Sequence, residues 1–380
     1  ARLHFSAMLR ELRFRTIKAI SALFASSYRI IDPRRSPLPG QRTLIPTRSH
    51  TLDRSRFTMI GEEPFWMRLG TLTLDASYEV GLHNVEVVGK GIVVDGDGSV
   101  VLESTIFQQQ YLRRCYQNHL IALRRFLPAT RHAHAISLIN YLDRNYFHWM
   151  MESIGRLMLV REQLSDPTLE LLIDADAPRF VRESIAFLFD VPQERIINDG
   201  SRRRRVGKLL LPSFPHTRNE RTGWANIYPP EIIRWINRTA LDRIGPLGAK
   251  RNFIVTRRNA HQRRMLNAEA IIARFPEKNF TIIEPEELPF HEQVKLFADA
   301  GIIIAMHGAG LANLLFARDA RVIEFYPQVR EEKDSSYFFQ ISSTLGMEHT
   351  LIGYAPVDKD QDLAFDEQLL NAVNGALPYQ

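Results

Sequence analysis

"AMHGAGLANLLFARDARVIEFYP", residues 305–327, decides the reading of the fold. The apolar run GIIIA at 301–305 leads into it. A His and two glycines one residue apart follow, then a helix-like run, then a second apolar run carrying an acid. Short apolar runs on either side of a helical pattern are the mark of a β/α unit. A glycine elbow lets a ligand approach the backbone, and a helix start offers unpaired N–H groups with a partial positive charge. His307, Gly308, Ala309, Gly310 and Leu311 are therefore expected to form an anion site. The dinucleotide fingerprint G-x-G-x-x-G needs a third glycine where Asn313 stands, and the P-loop lysine is missing. Neither a standard NAD site nor a Walker site is supported, while a phosphate-bearing ligand is. A plain strand–helix turn is the competing reading of the same residues.

The alternation extends outward from this stretch. Downstream of the linker GPLGAKR (245–251) come strand FIVT, helix 267–275, strand FTIIE, helix 290–299 and strand GIIIAM. Helix 310–317, strand RVIEF, helix 335–345, strand HTLIGY and helix 362–376 complete the series. Upstream, HAISLI, LELLIDA and VGKLLLPSF read as strands, and 145–163, 178–189 and 229–244 as helices. Two successive β/α series predict an α/β protein with two Rossmann-like, doubly wound parallel sheets facing a cleft. Residues 51–110 look β-rich, and GIVVDGDGSVVLES reads as a hairpin. Residues 1–31 show a 3.6-residue apolar period with off-stripe Arg10, Arg13 and Lys18, a basic amphipathic helix before DPRRSPLPG. The divisions are 1–46 (helix and Pro-rich linker), 47–246 (β-rich segment, then a Rossmann-like half) and 247–380 (a second Rossmann-like half).

Three further groups carry chemistry. Glu324 ends the strand after the elbow, at the edge that faces ligand in open α/β sheets, where a carboxylate can accept ribose hydroxyls. TRRNAHQRRMLN (256–267) puts Arg257, Arg258, Arg263 and Arg264 at a strand end of the same half. Arginine meets phosphate oxygens two at a time, so one or two of the four, with Arg257 and Arg263 foremost, are expected on a diphosphate. In NYFHWMMESIGRL (145–157), His148 and Glu152 are four apart and share a helical face. Such a pair at a cleft can do acid/base work. Intrinsic basicity favours His148 as base, and a hydrogen-bonded interior His is the bland reading of the pair.

The bulk numbers fit an ordinary globular chain of 380 residues, 45% hydrophobic and 24% charged. Net charge is +6. Residues 1–42 carry nine Lys/Arg against Glu11 and Asp32, and SRRRR at 201–205 reads as a solvated basic loop. Cys115 stands alone, so no internal disulfide and no cysteine metal cluster is expected. No apolar run spans a bilayer. The expected setting is cytoplasmic, with the N-terminal helix on its own protein or on an anionic membrane surface. SRRRR lacks interleaved aromatics, so no nucleic-acid partner is expected.

These motifs together resemble glycosyltransferase family 61 over about residues 130–355. NYFHWMMESIGRL is similar to the family's aromatic-His-aromatic block with its acid, TRRNAHQRRMLN to its arginine block, and HGAGLANLLFARDARVIEFYP to its His-Gly-Ala-Gly-Leu block. Asn259 departs from the Asp of many members. The resemblance implies a GT-B architecture and inverting transfer from a nucleotide-sugar, usually a UDP-sugar, to a glycan acceptor. Surface or capsular polysaccharide synthesis is the expected setting. It also implies an acid at the Glu152 position, which tips the choice of base to Glu152, with His148 bonding donor or acceptor. No cofactor and no metal is expected. Asp95/Asp97 and the Asp-x-Asp of IDADA (173–177) are read as turns. A nucleotide-sugar epimerase or oxidoreductase, and a non-catalytic polyanion-binding module, are the alternatives.

Overall fold

The computed structural model describes residues 29–63, 70–105, 121, 123–218, 226–328 and 336–378. The expected N-terminal helix falls on residues 1–28, outside the described residues. Where that expectation reaches described chain, Ile30–Ile31 is a strand instead.

The first part of the chain supplies β1 (Ile30–Ile31), β2 (Arg42–Ile45), β3 (Arg48–His50), β4 (Phe57–Ile60), β5 (Leu72–Leu74), β6 (Ser77–Val88), β7 (Ile92–Val94), β8 (Val100–Val101) and β9 (Thr130–Ser137). Helix α1 (Tyr146–His148) runs through a π-helical turn (Trp149–Ser153) into α2 (Ile154–Leu159). Then follow β10 (Glu170–Leu172), α3 (Arg179–Phe189), β11 (Ile196–Ile197), β12 (Arg203–Pro212), β13 (Thr217–Arg218), β14 (Asn226–Ile227) and α4 (Pro230–Ile244). The second part supplies β15 (Arg251–Val255), α5 (Glu269–Arg274), β16 (Phe280–Ile283), α6 (Phe290–Ala298), β17 (Ala300–Met306), β18 (Arg321–Pro327), α7 (Tyr337–Thr344), β19 (Glu348–Tyr354) and α8 (Glu367–Ala376).

Two large sheets result. The second, in the order β16-β15-β17-β18-β19-β4, is parallel at every pairing. Its strands are apolar on both faces, as a doubly covered sheet requires. Helices α5 and α8 pack one face, around Ile271, Ile304, Phe325 and Val373. The first sheet corrects the expectation of a second parallel sheet. Its order is β1-β8-β7-β6-β12-β9-β10-β11, with β2 also on β6. The run β12, β9, β10 and β11 is parallel, as is the edge pair β1–β8, but β6 is antiparallel to both β12 and β7 and β7 to β8. The cause is local. The connection from β6 to β7 is three residues long, and so short a link joins antiparallel strands only. The β-rich segment therefore extends the Rossmann-like strands instead of forming its own unit. Residues 57–60, grouped by sequence with the first half, add a sixth strand to the second sheet.

One apolar core joins the sheets. It contains Ile136 and Leu171 of the first, Phe253 and Ile303 of the second, and Leu157, Ile185, Ile236 and Phe297 of the helices between. The cleft between the halves is thus packed over much of its length and opens locally. SRRRR is another correction. Arg203 and Arg204 begin β12 and are buried, Arg203 paired with Glu86 and Arg204 with Asp199 at 2.7 Å. A solvated basic loop does not exist there. The Asp95 side chain accepts from the N–H groups of Asp97 and Ser99 (3.0 and 2.8 Å), closing the hairpin turn between β7 and β8. Asp174 accepts from the Asp176 N–H at 3.0 Å in the same manner.

Candidate active site

The opening between the halves is a cavity of about 630 Å³. Tyr146, Phe180 and Leu288 give it apolar wall, Arg257 a cation, and Ala309 to Leu311 a stretch of backbone. The parallel strands end here, so the loops after β15, β16 and β17 converge on one edge, as the strand order dictates.

After β17 the chain turns at His307–Gly308 into a 3₁₀ helix, Ala309–Phe316, where an α-helix was expected. The run AGLANLLF buries Leu311 through Phe316 and has no side-chain cap. The first N–H groups of any such helix lack an intrahelical acceptor, and Ala309 and Gly310 line the cavity. The two glycines serve different ends. A Cβ at Gly308 would overlap the Arg257 guanidinium. A Cβ at Gly310 would meet only Val255 Cγ1, at 3.7 Å. Packing thus explains Gly308, while Gly310 leaves room toward the cavity.

The four arginines are placed differently from one another, and Arg263 is not among the residues lining the cavity. Arg257 lines the cavity and donates from Nη1 to the His307 carbonyl at 2.9 Å. It forms no ion pair among the described residues. Burial, and then the neighbouring Arg263, lower its pKa from the usual guanidinium value. Arg263 is half-buried, with its Nε lacking a hydrogen-bond partner among the described residues. Arg258 pairs with Glu269 at 2.7 Å, and Arg264 with Asp362.

Glu324 is placed differently from the ribose-binding expectation. It is buried, with one oxygen on His307 Nδ1 and the other on His349 Nε2 at 3.0 Å. Ser342 Oγ completes the chain at 2.7 Å from His349 Nδ1. Burial alone would raise the Glu324 carboxyl, but the two histidines hold it down to about 2. A carboxylate with both oxygens engaged fixes His307, and Glu324 is not among the residues lining the cavity. His349 was not singled out from sequence, because nothing local ties it to Glu324.

On the first half, Asn145 caps α1 by accepting from the His148 N–H at 3.3 Å. The i,i+4 pair forms across the π-helical turn: His148 Nδ1 lies 3.0 Å from Glu152 Oε1. Glu152 is 0% exposed. Its Oε1 also accepts from Tyr228 Oη at 3.0 Å, and His216 Nδ1 lies 3.7 Å away. Its Oε2 has no hydrogen-bond partner among the described residues. Burial pushes His216 down to about 4 and the nearby Arg156 down to about 10. His216 and Tyr228 were missed in sequence; His216 follows the end of β12, and the strand-end rule could have flagged it.

His148 and Glu152 are outside the cavity lining, but bonds and rings connect them to it. Tyr146 Oη donates to Asn313 Oδ1 at 2.6 Å, and Asn313 Nδ2 donates to Gln293 Oε1 at 3.1 Å. Phe147 stacks on Tyr337 at 4.7 Å and meets Phe338 at 5.4 Å, and Phe338 lies 5.0 Å from His307. The site therefore joins a cavity-facing elbow with Arg257 to a His–carboxylate pair on the opposite half, Glu152 buried and His148 half-buried.

Residues 146–323 match the family model described as Glycosyltransferase 61, so the resemblance carried by the three motifs is shown over that segment. The chain is also 29% identical over 113 residues to the EGF domain-specific O-linked N-acetylglucosamine transferase of Bos taurus. That alignment covers 28% of this chain and 21% of the relative. No helix among the described residues is long and apolar enough to cross a membrane.

Proposed function

We propose that this chain is an inverting, GT-B type glycosyltransferase that moves a sugar from a nucleotide-sugar, with UDP the expected nucleotide, to a glycan hydroxyl. One observation carries the reading: Arg257, without an ion-pair partner among the described residues, faces a cavity beside a glycine elbow. A half-buried guanidinium with no carboxylate in ion-pair contact is favoured by a diphosphate, which meets it with charged oxygens. Arg257, Arg263 and the backbone from Gly308 to Gly310 would take the charge that develops on the leaving diphosphate.

The acceptor hydroxyl attacks the anomeric carbon, its proton goes to a base, and the nucleoside diphosphate leaves. The geometry favours His148 as that base, reversing the assignment tipped by the family block. When Nδ1–H donates to Glu152, Nε2 is the basic nitrogen of the ring, and the buried carboxylate stabilises the imidazolium that forms. Glu152 is fully buried, with Tyr228 and His148 on one oxygen. That suits an orienting role. Peripheral attachment to an anionic membrane through the basic N-terminal segment, in surface-polysaccharide synthesis, belongs to the same proposal.

A thermal-shift screen of UDP-, GDP- and CMP-sugars tests it. A ligand at 100 times its Kd stabilises by about 2.7 kcal/mol. One nucleotide class should shift the wild type and fail to shift Arg257→Ala. No shift from any of them, or stabilisation by NAD instead, would overturn the reading.

A further inference from the structure

The stretch DPRRSPLPG, at 32–40, carries a cation that the cavity does not use. Asp32 organises its turn: Oδ1 accepts from the Arg34 N–H at 3.1 Å, and the carbonyl accepts from the Ser36 N–H at 2.9 Å. The turn sends the Arg34 side chain inward, where it is 19% exposed. Its guanidinium meets the buried Glu103, with Nε on Oε2 at 3.0 Å and Nη2 on Oε1 at 3.2 Å. Tyr78 Oη also donates to Oε2, at 2.6 Å, and Asp75 lies 3.3 Å from Arg34 Nη1 at the rim. A fork-to-fork pair with both carboxylate oxygens engaged is the arrangement that offsets the burial of two charges.

The pair grips a backbone segment that leads to the His–carboxylate pair. Glu103 Oε1 accepts from the Phe214 N–H at 2.6 Å, Arg34 Nη2 donates to the Phe214 carbonyl at 2.9 Å, and Nη1 donates to the His216 carbonyl at 3.4 Å. From the other side Arg156 of α2 donates to the Pro212 carbonyl at 3.0 Å, its guanidinium 4.6 Å from the centre of the Phe214 ring. A Cβ at Gly155 would lie 3.1 Å from Pro215 Cγ, so α2 rests directly on the segment. Residues 214–216 fall between β12 and β13, and side chains hold what the sheet does not. His216 Nδ1 is thereby set 3.7 Å from Glu152 Oε1, its ring 5.9 Å from Tyr228, whose hydroxyl donates to that oxygen. Burial holds His216 down to about 4, so at neutral pH its ring wedges the carboxylate and does not compete for its charge. We propose that Arg34 is a positioning residue of the transfer step: with Glu103 it clamps the Phe214 peptide, keeps His216 against Glu152, and so keeps the His148 proton on Nδ1. This rests on the reading of His148 as base given above.

NMR of the full chain carrying ¹⁵N-labelled histidine tests this without any ligand. The ring nitrogens report which of them carries the proton, and loss of one signal set in His148→Ala identifies the residue. In the wild type neutral His148 should carry its proton on Nδ1. Arg34→Met combined with Glu103→Gln removes both charges together and keeps an acceptor for the Phe214 N–H. In that variant the Nε2–H form should become the major one, and kcat should fall by up to about 10²-fold. UDP Kd should stay within about twofold of the wild type, because none of these residues lines the cavity. An Nδ1–H majority in a double variant with the wild-type melting midpoint overturns the positioning role. Where the double variant melts lower, Arg34→Lys decides: it keeps a charge on Glu103 but loses the fork, so the tautomer should again shift, and an unshifted one overturns the proposal. An Nε2–H majority in the wild type overturns the reading of His148 as base, and this inference with it. Absence of UDP-sugar binding by the wild type overturns the nucleotide-sugar reading alone, since the tautomer is measured without nucleotide.

Discussion

Tyr146 Oη donates to Asn313 Oδ1 at 2.6 Å, joining residues 167 positions apart. Tyr146 belongs to the helix start that presents His148, and Asn313 to the 3₁₀ helix that follows the elbow. Tyr146→Phe removes the donor and leaves a buried amide oxygen unsatisfied. The expected loss is about 1–3 kcal/mol in urea unfolding, with weaker nucleotide binding because both residues line the cavity. Wild-type stability in this variant would show that the bond does not tie the halves together.

The two elbow glycines should fail in different ways. Gly308→Ala forces Arg257 off the His307 carbonyl, so nucleotide affinity and thermal midpoint fall together. Gly310→Val has only Val255 nearby. It should keep its midpoint and still lose about tenfold or more in UDP affinity, for one lost good contact to phosphate. Unchanged UDP affinity in Gly310→Val would remove the elbow from the binding site.

The proton should go to His148. His148→Ala is expected to lower kcat about 10²–10⁴-fold while nucleotide Kd changes only a few-fold. Glu152→Gln should lower kcat as well, by disturbing the tautomer. Near-normal turnover in His148→Ala beside an inactive Glu152→Gln would hand the proton to Glu152.

Glu324 supplies a pH dependence of stability. Its two histidine partners hold the folded carboxyl down at about 2, against the ordinary 4.5 of a glutamate. The unfolded chain binds a proton that the folded one refuses, so the stabilisation is complete above 4.5 and is lost as pH falls through 2. In that window the urea midpoint of the wild type should fall more steeply than that of Glu324→Gln. Parallel curves would mean that His307 and His349 do not hold the carboxylate ionised.

Much of the fold was legible because strands such as GIIIAM and RVIEF are short apolar runs bounded by turn residues, a local signal. The clustering of Arg257 with the elbow was legible for a related reason: consecutive parallel strands end on the same edge. What escaped the reading is non-local. The direction of β6 depends on a three-residue connection, and the burial of Arg203 and Arg204 on partners outside their own strand. Glu324 looked open because its partner His349 lies 25 positions away. The π-helical turn at Trp149–Ser153 leaves no mark in an apolar period.

Strand β4 has a consequence for how the molecule is made. It pairs with β19, Thr58 opposite Thr350, and Arg56 Nη1 donates to the Gly346 carbonyl 290 positions along the chain at 2.6 Å. During synthesis the early strand must wait, unpaired, for one of the last. Contacts between positions so far apart form slowly, and until they do the open edge of β19 can template pairing with another chain. A piece beginning at the inter-half linker would be born with that edge bare. The molecule is therefore expected to resist being rebuilt from fragments cut there, and to gain solubility when residues 57–60 are supplied back in trans.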